Sequence, residues 1–244
     1  MLNKFIGIIL VRSQSTRLPG KCFLNFGKVN ILEHMILRSR HFKIEPIICT
    51  TNKKKDNKII AISKKYRVKF FRGSERNKIK RINDCCEKFK IKKFHLIDAD
   101  DPFFCGLEVK RSLETLTEKK LNIVKPSIVS NNGAGIVGYS MSNTTISILS
   151  KKIKSNTDTE MLSNFFNLQK NLKIFTLDNK RKYINLRLTL DYIEDYTLLL
   201  ILRLKLGNLI SRKKIDNFIK KNEYLKKINI HKNLDWKKNQ FKSV

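Results

Sequence analysis

Over the first hundred positions, apolar residues form short uninterrupted runs, separated by stretches in which they recur three or four apart. Phe5–Val11 is one such run. It is too short to cross a membrane, has no small-residue cleavage site and ends at Arg12, so it reads as a central strand buried on both faces. Ile31–His41 has helical spacing, with Ile31, Leu32, Met35 and Ile36 apolar. Pro46–Thr50 reads as a second strand, and Lys55–Tyr66 as a helix with Ile59, Ile60 and Ile62 inward. A third strand at Val68–Phe71, a helix over Arg76–Phe89, a fourth strand at Phe94–Ile97 and a helix over Leu107–Leu116 continue the alternation. This βαβα rhythm predicts a Rossmann-like α/β fold with a mainly parallel sheet covered on both faces.

From Pro126 to Thr144 the periodicity loosens, and Asn131 to Gly135 carries a turn signal. Thr157–Leu168 and Leu199–Leu206 read as helices, and Leu186–Leu190 as a strand returning to the sheet. After Gly207 the tail is basic and helical, with Ile215, Phe218 and Ile219 on one face. There is no internal repeat and no long linker. The predicted organisation is one domain over 1–244, with a peripheral or dimerisation lobe near 125–185 and a helical tail over 207–244. A homodimer is left open.

Composition adds one anomaly. The 244 residues are 41% hydrophobic and 30% charged, as in a globular chain, yet the formal net charge is +31. The excess is spread along the whole chain, from Lys53-Lys54-Lys55 to Lys220-Lys221, and no single tail or helix carries it. That distribution predicts a solvated basic surface rather than a dedicated nucleic-acid or membrane interface. Cys22, Cys49, Cys85, Cys86 and Cys105 are odd in number and include no CxxC, which predicts reduced cysteines and a cytoplasmic location. His34, His41, His95 and His231 lack metal-ligand spacing, and Ser13, Ser15 and Thr16 have no evident His/Asp partner for nucleophilic catalysis.

The densest chemistry follows the first strand, in Arg12-Ser13-Gln14-Ser15-Thr16-Arg17-Leu18-Pro19-Gly20-Lys21. Ligands of open parallel sheets bind at the carboxyl ends of strands. A loop of small hydroxyl residues there exposes N–H groups to an anion, and Arg12, Arg17 and Lys21 add cations for a triphosphate. Pro19-Gly20 turns the chain so that Lys21 comes back toward the site. A second cluster, Asp98, Asp100 and Asp101, ends the fourth strand. Asp98 and Asp100 share a face if the backbone stays extended, and hard carboxylate oxygens suit magnesium. Asp101-Pro102 also fits a helix N-cap. By spacing alone, Asp191 reads as a helix cap with Glu194 three residues on. Ser74 and Arg81 read equally as an N-cap and a surface arginine, or as part of a site.

Arg12–Lys21 resembles the RxxSxRLPGK signature of the cytidylyltransferases that make CMP-activated sugar acids, closest to the SpsF-type group. The similarity continues through Leu32-Glu33-His34, Thr50-Thr51-Asn52, Phe71–Glu75, Asp100-Asp101-Pro102 and Arg187–Asp191. The resemblance implies a nucleotide-diphospho-sugar-transferase fold that binds CTP and Mg2+. It assigns Arg12, Ser13, Ser15, Thr16, Arg17, Lys21, Ser74 and Arg81 to the nucleotide and makes Arg17, Lys21 and Asp100 catalytic. Asp100 and Asp191 become the metal pair, and Arg187 a phosphate or acceptor contact. The implied reaction transfers CMP to the hydroxyl of a small acidic acceptor for surface polysaccharide; the alternatives are a phosphonate or other non-sugar acceptor, or a non-catalytic basic nucleic-acid-binding protein. The chain departs from the group's pattern at Ala99, Ile193, Arg76, Asn77 and Lys80, and it lacks carboxylates over 133–139. Two further expectations follow. Asp100 and Asp191 meet only if the Leu186–Leu190 strand lies beside Phe94–Ile97, and the two facing carboxylates should then repel each other.

Overall fold

The computed structural model describes residues 5–127, 134–135, 137–178 and 184–241. The first strand, β1 (Phe5–Leu10), sits inside a seven-stranded sheet. A two-stranded hairpin of β2 (Asn25–Phe26) and β3 (Val29–Asn30) leads into helix α1 (Ile31–His41). The Asn30 side chain accepts from Glu33 N–H while Glu33 accepts from Asn30 N–H, a reciprocal cap on the α1 start. The order continues with β4 (Ile44–Thr51), α2 (Asn57–Lys65), β5 (Lys69–Gly73), α3 (Lys78–Phe89), β6 (Lys93–Asp98) and α4 (Gly106–Glu118). Strand β4 pairs parallel with β1 on one side and with β5 on the other, and β6 pairs parallel with the opposite edge of β1. The chain thus reverses direction across the sheet between β1 and β6, and a crevice opens where their carboxyl ends diverge.

Alternation along β1 explains why the run had to be apolar throughout. Ile8 and Leu10 face the layer of α3, whose Ile79, Ile82, Cys85 and Cys86 are buried. Ile9 and Val11 face α1, α2 and α4, through Leu32, Met35, Ile59 and Val109 among others. Each fully buried aliphatic side chain contributes roughly 1.5–3 kcal/mol, so a polar substitution on either face of β1 is costly. All five cysteines are free and buried. His34 Nε2 donates to Pro102 O, and His95 bonds Ser140 Oγ through Nδ1 and accepts from Gly138 N–H at Nε2, so both imidazoles are used in packing. Burial pushes each down to about 3.

The second half differs from the sequence expectation in three places. Strands β7 (Ile123–Lys125), β8 (Ser140–Ser142) and β9 (Ile174–Thr176) extend the same sheet in the order β6-β8-β7-β9. They carry helix α5 (Asn143–Lys152) with them, across the stretch expected to hold a peripheral lobe. The helix expected over Thr157–Leu168 is confined to a 3-10 stretch at Leu162–Leu168. Residues 186–190 form no strand; β6 is instead flanked by β8, antiparallel. A strand reading failed there because apolar alternation reports burial, and Leu186, Leu188 and Leu190 are buried without joining a ladder. The turn signal at 131–135 lies largely outside the described residues. Helices α6 (Ile193–Leu206), α7 (Arg212–Lys221) and α8 (Lys232–Phe241) complete the chain. Among the described residues no helix is long and apolar enough to cross a membrane.

Candidate active site

The loop after β1 is tied down at both ends. Asp56, just before α2, accepts from Ser13 N–H at 2.8 Å and from the Ser13 hydroxyl at 2.6 Å. Its other oxygen takes the Thr50 hydroxyl at 3.0 Å and Thr51 N–H at 3.2 Å. Burial pushes the Asp56 carboxyl upward, but these donors outweigh it and hold its pKa below the ordinary value. Gly20 N–H returns to Ser13 O at 3.1 Å and closes the loop. The turn needs Gly20 at φ 67°, a left-handed conformation that a β-carbon would strain. A single 3-10 turn, Lys21–Phe23, then aims Lys21 inward.

Lys21 reaches a cluster of oxygens. Its ammonium donates to Asp100 Oδ2 at 3.1 Å, Asp191 Oδ1 at 3.0 Å and Leu190 O at 2.8 Å. Arg17 donates to the same Asp191 oxygen at 2.6 Å. Burial tends to discharge Lys21, but Asp100 and Asp191 more than compensate and raise its pKa. Burial likewise pushes Asp191 up, yet Lys21 and Arg17 bring it below the usual carboxylate range. The two aspartates therefore do meet, across an ammonium that removes the repulsion expected between them. What joins them is a bond from Leu190 N–H to Asp100 O at 2.7 Å, made without a paired strand.

Two local readings of the sequence change here. The N–H groups of Asp191 and Tyr192 donate to Asp195 Oδ2 at 2.9 and 3.0 Å, so the carboxylate that closes the start of α6 is that of Asp195, in its first turn, and not that of Asp191. Asp101 does not cap a helix either, since α4 begins at Gly106 with Cys105 as the capping residue. Burial raises Asp101 well above the ordinary range, with Asp100 and Asp98 adding to the effect.

Arg187 departs from its expected role. Its side chain is 0% exposed and grips Asp195 at both oxygens, Nε to Oδ1 at 2.8 Å and Nη2 to Oδ2 at 3.0 Å. Nη2 also reaches Asp191 Oδ2 at 3.3 Å, and Nη1 reaches Asn233 Oδ1 at 3.2 Å. An acceptor cannot touch a guanidinium sealed in this way, so Arg187 supports Asp191 from behind. Ser74 Oγ accepts from Asn77 N–H, and Arg81 Nη1 donates to the Ser74 and Glu75 carbonyls. These bonds brace the β5–α3 connection, while Arg81 still borders the cleft.

The cleft has two halves. One, of about 270 Å³, is lined by Arg12, Gln14, Ser15, Thr16, Arg17, Lys21, Lys78, Arg81, Asp98, Asp100 and Glu160. Ser13 is absent from this wall, because Asp56 holds it back. The second, of about 590 Å³, is lined on its far side by Lys125, Tyr139, Ser163, Thr189 and Trp236. Lys78, Glu160, Tyr139, Lys125 and Trp236 carried no motif signal; only the folded chain brings them to the crevice. Among the described residues no group of three or more His, Cys, Asp or Glu side chains gathers as a metal site. The donor pair present is Asp100 with Asp191, both aimed at the point where the Lys21 ammonium stands. Two carboxylates converging on one cation are hard oxygen donors of the kind that would hold a magnesium ion in place of the ammonium.

A family model for cytidylyltransferases matches residues 6–232. An uncharacterized protein of Methanocaldococcus jannaschii is 30% identical over 236 residues, covering 93% of this chain and 94% of the relative. Among solved structures, a cytidylyltransferase from Leptospira borgpetersenii serovar Hardjo-bovis superposes with a TM-score of 0.78 at 24% identity, over 91% of this chain and 95% of that one. A CMP:2-keto-3-deoxy-manno-octonic acid synthetase complexed with CTP gives a TM-score of 0.65 at 13% identity, over 83% and 99%. At these identities the two structures establish the shared fold.

Proposed function

The chain belongs to the cytidylyltransferase family of nucleotidyltransferases, and on that premise we propose that it transfers CMP from CTP to a hydroxyl of a small sugar acid, releasing pyrophosphate. The observation that carries the proposal is the convergence of Arg17, Lys21, Asp100 and Asp191 at the floor of a cleft at the carboxyl ends of β1 and β6. The acceptor hydroxyl oxygen bonds to the α-phosphorus, the bond from that phosphorus to the β-phosphate oxygen breaks, and pyrophosphate leaves with the electron pair. The hydroxyl proton passes to solvent. Such chemistry depends on positioning and charge neutralisation.

In this reading the smaller half of the cleft takes the nucleotide. Arg12 and Arg17 grip the β- and γ-phosphates, with Ser15 and Thr16 as hydroxyl donors. Asp100 and Asp191 would hold magnesium, which when bound neutralises phosphate oxygens and acidifies the acceptor hydroxyl. Two cations cannot share one point, so with a metal held there Lys21 would turn from the aspartates to the phosphates. The larger half takes the acceptor, where Tyr139, Ser163 and Thr189 offer hydroxyls to a polyol and Lys125 offers a cation to its acidic group. The fold shared with a synthetase for 2-keto-3-deoxy-manno-octonic acid supports a sugar acid, and surface polysaccharide synthesis is the setting that chemistry suggests.

The test is calorimetry with four nucleotides, with and without magnesium, followed by pyrophosphate release with a panel of sugar acids and phosphonates. CTP should bind more tightly than ATP or GTP, and more tightly with magnesium. Arg17→Ala should slow turnover on the order of a hundredfold, if the guanidinium stabilises charge building on pyrophosphate. Equal affinity for all nucleotides would overturn the reading. Turnover with a phosphonate alone would move the acceptor class.

A further inference from the structure

Lys78, the first residue of α3, occupies an unusual position. A cation at a helix N-terminus opposes the helix dipole, and this one is only 13% exposed. Its ammonium lies 3.6 Å from Asp98 Oδ1 and 3.9 Å from Glu160 Oε1, beyond hydrogen-bond distance of either. Among the described residues it makes no hydrogen bond, so its donors are unspent. Burial works to discharge it, but Asp98 and Glu160 prevail and raise its pKa, so the amine stays protonated. The first-turn amides of α3 are already satisfied: Lys78 N–H by Arg76 O, Ile79 N–H by Thr159 Oγ1 and Lys80 N–H by Asn77 Oδ1. What this helix end offers the cleft is therefore the lysine side chain.

Location assigns the ligand. Leu10, Arg17, Lys78, Asp98, Asp100 and Glu160 line both halves of the cleft and so mark their boundary. In a transfer between a nucleotide in one half and an acceptor in the other, the phosphoryl group that moves must lie at that boundary. Two cations stand there, Arg17 and Lys78; Arg17 is taken by the β- and γ-phosphates in the reading above, which leaves Lys78, whose ammonium makes no hydrogen bond among the described residues, for the α-phosphate. We propose that Lys78 is a further catalytic residue, which binds the non-bridging oxygens of the nucleotide's α-phosphate and neutralises the charge that gathers there during displacement. This rests on the CTP reading above. The lysine stays protonated throughout: the bonds made and broken are those at phosphorus, and Lys78 contributes charge and hydrogen bonds that Asp98 and Glu160 hold in place. The sequence pattern gave no hint of it, because Lys78 is one of many lysines in a chain of net charge +31.

The test uses CTP and CMP as probes, which share the α-phosphate and differ in the other two. Calorimetry on Lys78→Met should show both nucleotides bound about tenfold more weakly, by the same factor, as expected for one charge-assisted contact. Lys78→Arg should recover most of the affinity. Lys78→Gln, whose amide can still bridge Asp98 and Glu160, should show the same equal loss if the methionine variant folds poorly. Unchanged affinity in both neutral variants overturns the role of Lys78, and so does a loss for CTP without one for CMP, which would place it on the β- or γ-phosphate. A parent protein that binds neither nucleotide overturns the CTP reading itself, and Lys78's role with it.

Discussion

Replacing Arg187 by methionine separates a structural arginine from an acceptor-binding one. The guanidinium is 0% exposed and makes a two-point pair with Asp195, at 2.8 and 3.0 Å. Removing one partner of such a buried pair costs about 3–5 kcal/mol, because the other charge is left without compensation. Asp195 keeps three other donors, Asp191 N–H, Tyr192 N–H and the Asn229 amide at 2.9–3.0 Å, which puts the cost at the lower end, about 3 kcal/mol. For a domain of this length each kcal/mol lowers the melting temperature by about 2 °C, so the expected fall is about 6 °C. Adding Asp195→Asn should restore part of it by removing the orphaned charge. The assay is thermal unfolding of both variants, with steady-state kinetics on the folded protein. Turnover should fall, because Asp191 loses its support at 3.3 Å, while the acceptor KM stays near that of the parent. An unchanged melting temperature together with a tenfold rise in acceptor KM would refute this reasoning and return Arg187 to the acceptor.

Lys21→Met leaves Asp100 and Asp191 facing each other, so it should lower the melting temperature, and magnesium alone should stabilise the variant more than the parent; no greater effect on the variant would show that the aspartates do not form a cation site. The Lys21–Asp191 contribution should be steady near neutral pH. It should be lost in acid as pH falls through the depressed Asp191 pKa, and in alkali as Lys21 discharges above its ordinary value. Asp101→Asn should raise the melting temperature of the metal-free protein at pH 8 but not at pH 4, because a carboxyl with a raised pKa costs stability only once the pH exceeds its unfolded value; the same effect at both pH values would contradict it. Asp56→Ala releases Ser13, so calorimetry should show CTP bound about tenfold more weakly, each bond to that carboxylate being worth about 1.5–3 kcal/mol; unchanged affinity would mean that the loop needs no anchor.

Sequence alone determined the parallel half of the sheet, because strands buried on both faces must be continuously apolar and the helices between them must be amphipathic. It also determined the phosphate loop, where Pro19-Gly20 and the cations around it leave the backbone few conformations. Asp100 and Asp191 could be named by resemblance. That they meet, and that Lys21 stands between them, is a fact of tertiary structure, since Lys21 lies 79 residues from one and 170 from the other and such separations leave no local trace. Burial decided the roles of Arg187 and Asp56: charge and spacing are the same for a guanidinium or carboxylate facing ligand and for one sealed against a partner. The strand expected at 186–190 failed for the same reason: the leucines there are buried, and so are Arg187 and Thr189 between them, and burial does not decide whether a ladder forms. Lys78 shows the limit most plainly. Among so many lysines, only the packing of α3 on β4 and β5, which sets Lys78 beside Asp98 and Glu160, distinguishes one that points into the cleft from those that point into water.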